Sequence, residues 1–157
     1  MPQLSKGGKY IFGWTKIKEN GEIIIPEEIV RKYDLDLEKN LILITGSKTS
    51  GGFCVSSRAL LIKSGIAELL ITNPRLLDFS IAEESPIKIK GRSYLWIRFR
   101  CNNTIRLKKE TMDFLGIKEG DFLLAIKGSN LSSVFAVKGP IVEKARGYPN
   151  IKVFEQA

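Results

Sequence analysis

Apolar and polar positions along the chain alternate in a way that predicts a β-rich protein with short helices. Over residues 92–100, Leu95, Ile97 and Phe99 share one parity, while Arg92, Tyr94, Trp96, Arg98 and Arg100 share the other. Alternation of this kind places the two sets on opposite faces of a strand. Residues 10–18 repeat it, with Tyr10, Phe12, Trp14, Lys16 and Lys18 on one face. Each strand is followed by a turn, at Asn20-Gly21 or Asn102-Asn103, where positive φ is tolerated. A short strand follows, over 22–25 or 104–107. Pro26 then opens a brief helix ending near Asp34, since its fixed φ and missing donor suit a first helical turn. In the second half Lys108 takes that place and Gly116 supplies the stop. Third and fourth strands are predicted over 41–45 and 52–56, and again over 122–127 and 134–138. Between the halves, apolar spacing predicts a helix over 58–71, stopped by Asn73-Pro74, and a connector over 76–86. A helix over 140–146, a turn over 147–150 and a last strand over 151–154 complete the chain.

The two halves are one unit written twice. At a constant offset of 82 residues, Trp14 falls on Trp96, Ile17 on Phe99, Asn20 on Asn102, Ile23 on Ile105, Leu41 on Leu123 and Gly46-Ser47 on Gly128-Ser129. A register kept from a tryptophan to a hairpin marks an internal duplication. Four segments follow: a first repeat over 9–57, a helix and connector over 58–87, a second repeat over 88–138, and a C-terminal helix and strand over 139–157. One repeat alone has too little chain to bury its apolar strands, so the copies are expected to share a core.

Charge separates the copies. The chain carries +8 in all. Up to Asp78 there are 11 basic and 9 acidic residues, and beyond it 14 and 8. No acid occurs from Ser85 to Lys109, a stretch rich in Lys and Arg. Such a run favours a polyanionic partner through counterion release. The absence of histidine removes the commonest general base and every Ser-His or Cys-His arrangement, so no enzyme is expected. Neither a metal site nor a cofactor is expected from two cysteines and scattered carboxylates. No segment has the run of about 20 apolar residues that a membrane span needs, and a cytoplasmic location is expected.

The segment GEIIIPEEIVRKYDLDLEKNLILI, and NTIRLKKETMDFLGIKEGDFLLAI in the second copy, resemble the AbrB/MazE/SpoVT family of swapped-hairpin DNA-binding domains. The shared pattern is a short β-branched strand, a short helix and a Leu-Gly-like exit, followed by a charged turn and a further strand. The resemblance implies a swapped-hairpin β-barrel built from two ββαββ repeats, closed within one chain as a pseudo-dimer or formed by a homodimer. It also implies a transcriptional regulator that binds double-stranded DNA. Family members use arginines on the first strand, after the turn glycine and early in the helix. The matching places here hold Lys16, Glu22 and Arg31 in copy one, and Arg98, Thr104 and Asp113 in copy two.

Candidate DNA contacts are therefore Lys16, Lys18, Arg31, Lys32, Arg92, Arg98, Arg100, Arg106, Lys108 and Lys109. Glu19 and Glu22 beside them oppose a phosphate backbone. Trp14 and Trp96 are expected beneath the helices, since large aromatics are mostly buried. The Gly-Ser loops, with Gly46, Ser47, Ser50, Gly128, Ser129 and Ser132, are read first as hairpin connections. Their alternative is a non-enzymatic barrel that binds a protein or a small ligand through these loops, a partner toxin being one case.

Overall fold

The computed structural model describes residues 11–63, 68, 71–128, 131–148 and 151–154. The first repeat forms β1 (Ile11–Lys16), a 3-10 turn (Glu19–Gly21), β2 (Glu22–Ile24), α1 (Glu27–Lys32), β3 (Asn40–Thr45) and β4 (Phe53–Ser56). The linking segment holds α2 (Arg58–Ile62), α3 (Pro74–Leu77) and β5 (Ile87–Ile89). The second repeat gives β6 (Arg92–Arg98), a 3-10 turn (Cys101–Asn103), β7 (Thr104–Arg106), α4 (Lys109–Leu115), β8 (Phe122–Lys127) and β9 (Ser133–Ala136). After it come α5 (Pro140–Arg146) and β10 (Val153–Phe154). The fold is thus mostly β with short helices, and each repeat has the order ββαββ.

The repeats exchange strands. β1 pairs antiparallel with β8 of the other copy, and β6 pairs antiparallel with β3. The registers are the same: Trp14 lies opposite Leu124, and its counterpart Trp96 lies opposite Ile42. Two further ladders cross the centre. β2 pairs with β7 so that Ile23 faces Ile105, and β4 pairs with β9 so that Phe53 faces Phe135. Each of these two pairs is separated by the repeat offset. Equivalent residues can face each other only on an axis of two-fold symmetry, so a pseudo-two-fold passes through both ladders. On it the Phe53 and Phe135 rings stack, with centroids 5.2 Å apart. One chain therefore supplies both halves of its own symmetric unit.

The main core lies on this axis and draws on both copies, with Ile17, Ile23, Leu41, Phe53, Ile105, Leu123 and Phe135 all fully buried. Two smaller clusters cover the outer faces of the sheet. One includes Ile42, Cys54, Leu61, Leu76 and Tyr94, with Trp96 packed against it. The other includes Ile11, Leu124, Val142 and Ala145, with Trp14 against it.

The expected closed barrel is not formed. The eight-stranded sheet runs β10-β1-β8-β9-β4-β3-β6-β5 with two open ends, and β2-β7 is a separate two-stranded ladder. Closure would need β2 and β7 to pair along the outer edges of β1 and β6. Those edges are taken by β10, parallel to β1, and by β5, antiparallel to β6. Short links remain where the ladder breaks, with the Lys18 amide donating to the Glu22 carbonyl at 2.8 Å and the Thr15 hydroxyl to the Ile24 carbonyl at 2.9 Å.

Other boundaries also differ from the pattern. Of the helix expected over 58–71, α2 covers Arg58–Ile62 and Glu68 and Ile71 are again helical; residues 64–67, 69 and 70 lie outside the described set. Pro74, expected to stop a helix, opens the short α3, which runs into the expected connector, and β5 was not expected. In copy one the parity breaks at a bulge between Ile11 and Gly13. Phe12 consequently joins the main core and leaves the face of Trp14 and Lys16. Gly13 has φ +150, and a Cβ there would lie 2.5 Å from the Phe154 ring and 2.6 Å from the Lys152 carbonyl. The missing side chain is what lets β10 approach β1.

Candidate nucleic-acid interface

The turns after β1 and β6 bring the basic residues together. Asn20 and Gly21 have φ near 65 and 73, and Asn102 and Asn103 near 60 and 57, as the turn chemistry requires. Gly21 is pressed against the other copy: a Cβ would stand 2.1 Å from the Leu107 carbonyl oxygen. The Leu107 amide donates to the Gly21 carbonyl at 3.0 Å, and the Ile25 amide donates to the Asn103 carbonyl at 2.7 Å. This interlock sets the start of α4 beside both turns. A groove of about 480 Å³ results, into which Arg100, Arg106, Lys108 and Lys109 converge. Glu83, Glu84 and Glu119 share it. A second groove of about 650 Å³ holds Lys16 and Lys18 with Glu19 and Glu22, and Glu119 borders both.

The other candidates lie elsewhere. Arg31 and Lys32 are exposed on α1 and line neither groove; Arg31 is 3.7 Å from Glu27 in a solvent-exposed pair that contributes at most about 1 kcal/mol. Arg92 stands at the far end of β6, close enough to Cys54 to act on its thiol. Arg98 has an exposed side chain, and its amide donates to Glu83 Oε2 at 2.9 Å. Arg106 reaches Glu22 Oε2 across the β2-β7 ladder at 3.5 Å, so one groove cation is partly neutralised by the opposite copy. The Lys16 Nζ sits 5.7 Å from the centre of the Phe122 ring.

The basic and aromatic face expected along β6 is covered in its middle. Trp96 donates from Nε1 to the Ile81 carbonyl at 2.6 Å, and Phe79 tilts against it at 5.5 Å. Trp14 packs with the α5 cluster. Both tryptophans thus serve packing, each half-buried, and the fully exposed residues of β6 are its basic ends, Arg92 and Arg98.

The Gly-Ser loops occupy opposite ends of the β4-β9 pair, because they precede two antiparallel strands. In the first, the Gly46 amide donates to the Gly52 carbonyl and the Gly51 amide to the Ser47 carbonyl. The Ser50 amide donates to Ser47 Oγ at 3.1 Å, and the Ser50 carbonyl accepts from Val137 and Lys138. In the second, Ser132 hydrogen-bonds Cys54, and the Gly128 backbone hydrogen-bonds Tyr33. Ser129 lies outside the described residues. The bonds within the first loop close a hairpin connection, and the others tie both loops to the opposite copy.

Among the described residues, three groups depart from their ordinary acidity. Burial pushes the Tyr33 phenol and the Cys54 thiol up. Hydrogen bonds from Ser80 hold the exposed Asp78 carboxyl below the usual range. None of the three lines the basic groove.

Sequence reasoning missed the groove's carboxylates. Glu83 and Glu84 immediately precede the acid-free stretch, so reading the stretch alone left them out, and they align with Met1 and Pro2 in the first copy. Only the return of the connector along β6 brings them to the site.

These features define a class: a single-chain, pseudo-two-fold β protein whose repeats exchange their first strands and meet at one basic groove. No protein-family model matches the sequence, and no curated protein matches it either. Among the described residues, no helix is long and apolar enough to cross a membrane.

Proposed function

We propose that this chain is a DNA-binding transcriptional regulator of AbrB-like, swapped-hairpin type, in which two tandem repeats do the work of a dimer. The observation that carries this reading is the strand exchange about a two-fold axis, together with four basic residues from copy two gathered where the copies interlock. The partner is double-stranded DNA, met through its phosphates by Arg100, Arg106, Lys108 and Lys109. The role is binding, with no reaction assigned. Copy one contributes differently. The places of Arg106, Lys108 and Lys109 are held there by Ile24, Pro26 and Glu27. Engagement is therefore one-sided, and a single half-site suffices.

Anisotropy titration of a labelled duplex tests this. If four phosphates are neutralised, raising salt from 50 to 200 mM weakens binding about 100-fold. Arg106→Ala and Lys108→Ala each lower affinity and flatten the salt dependence by about one charge. Arg31→Ala leaves both nearly unchanged. Absence of binding at 50 mM salt, or binding indifferent to salt, rejects the reading.

A further inference from the structure

The connector between the repeats enters the groove with its own anions. Its backbone is fixed along β6: the Glu84 amide donates to the Trp96 carbonyl at 3.0 Å, and Trp96 holds the Ile81 carbonyl from the other side. From that position both glutamates turn toward basic segments. Glu83 Oε2 accepts from the Arg98 amide at 2.9 Å, and Glu84 Oε1 accepts from the Lys108 amide at 2.8 Å, at the start of α4. Main-chain amides beside clustered Lys and Arg side chains are the donors that bind phosphate oxygens in nucleic-acid complexes. Here carboxylates already occupy them. Phe79 and Glu84 adopt positive φ of 59 and 64, an uncommon conformation for side-chain-bearing residues. The contacts to Trp96 and to the two amides hold the segment in it.

We propose that the connector is a built-in competitor for the anion groove, with Glu83 and Glu84 standing where two phosphates of a polyanion would bind. This inference rests on the DNA-binding reading above and concerns the regulation of that same site. Four cations and three carboxylates share the groove, and two of those carboxylates belong to the connector. They lower the groove's positive charge, and they fill the Lys108 amide in the groove and the Arg98 amide on the adjoining strand, so binding is held weak while the connector is seated. Displacing the connector frees both amides together, because its two glutamates lie on adjacent residues.

The test is the double variant Glu83→Gln/Glu84→Gln in the full chain. Glutamine keeps an acceptor for each amide, so the fold is preserved, but a neutral acceptor holds the amides less strongly than a carboxylate and yields them more readily to phosphate. Duplex affinity at 100 mM salt should rise about tenfold or more, with a salt slope steeper by one to two charges. The control is Glu68→Gln/Glu143→Gln, which removes two carboxylates that line neither groove. It should raise affinity less than threefold. A thermal melt of each variant shows whether the fold is intact, and Glu84→Gln alone provides a milder second variant with an intermediate gain. Equal affinity of wild type and the connector variant overturns the inference and leaves the DNA-binding reading standing. An equal gain from the control also overturns it, since net charge alone then accounts for the effect. If neither wild type nor variant binds at 50 mM salt, the DNA-binding reading falls and the inference falls with it. Binding by the variant alone supports both.

Discussion

Replacing Phe53 or Phe135 with alanine tests whether the two repeats form one interlocked body. Both rings are fully buried, they stack at 5.2 Å, and each belongs to the main core shared by the copies. Phe-to-Ala truncation in a packed core costs about 3–5 kcal/mol, from lost transfer energy and an unfilled cavity. That is a large share of the roughly 5–15 kcal/mol that holds a domain folded. With a urea m-value of about 2 kcal/mol/M, either substitution should lower the unfolding midpoint by about 1.5–2.5 M. Because the residues face each other on the axis, the two costs should be alike. The double variant should cost less than their sum by about 1 kcal/mol, the part belonging to the stack itself.

The assay has its own internal probes. Trp14 and Trp96 lie in the two outer clusters, on opposite sides of the axis, so Trp14→Phe and Trp96→Phe backgrounds report each side separately. Interlocked copies must lose both signals in one transition. Should Phe53→Ala lower the midpoint seen by one tryptophan and leave the other in place, the repeats are separate domains and the shared-core reasoning is wrong. A cost below about 1 kcal/mol for either substitution would also refute it. Phe53→Leu, expected to lose about 1–1.5 kcal/mol, keeps the comparison measurable if the alanine variant does not fold.

Gly13→Ala should destabilise the chain by about 1–3 kcal/mol and loosen β10, since its Cβ meets the Phe154 ring and the Lys152 carbonyl; faster hydrogen exchange at the Trp14 amide, which donates to that carbonyl, is the readout. Stability should be flat through neutral pH and fall in alkali, because the raised Cys54 and Tyr33 groups stay neutral when folded and ionise more readily when unfolded. The loss begins above the ordinary values, 9.0 for the thiol and 10.0 for the phenol, and grows as pH rises toward the folded-state values; Tyr33→Phe should flatten its upper part in urea melts at stepped pH. A thiol reagent at neutral pH should titrate the exposed Cys101 quickly and the buried Cys54 only on unfolding, and two fast equivalents would contradict the packing around Cys54.

Local chemistry was readable from the sequence where one or two residues determine it. Asn20-Gly21 and Asn102-Asn103 form positive-φ turns, Gly116 ends α4 in the left-handed conformation, and the period-two runs become strands. The repeat offset also located equivalent elements, since the starts of β2 and β7, α1 and α4, and β3 and β8 keep it. Partner choice was a different matter. Alternation shows which side of a strand is buried but not which strand lies beside it, so β10 and β5 at the edges of β1 and β6 could not be foreseen. Nor does parity survive an extra residue, and the bulge before Gly13 sends Phe12 inward. The basic site divides in the same way. Arg100, Arg106, Lys108 and Lys109 lie close in sequence and gather in space, whereas Arg31, Lys32 and Arg92 lie apart from the grooves.

Fusing the two repeats in one chain changes what symmetry demands of each. In a homodimer, one substitution on the surface appears twice, so a basic residue gained on one side is gained on the other. A duplicated chain is free of that rule everywhere except where the copies touch. The positions that face each other on the axis remain paired in kind, Ile23 with Ile105 and Phe53 with Phe135, because either side must fit the other's volume. Leu41 and Leu123, both fully buried in the common core, are likewise unchanged. Away from the axis the constraint disappears and the copies diverge: Arg106 stands against Ile24, Lys109 against Glu27, and Asp113 against Arg31. Arg106 and Lys109, both exposed, are among the residues that line the basic groove in copy two. Mutual fit therefore explains why the pairs on the axis are kept, while the unequal surfaces follow from the two copies no longer having to present the same face.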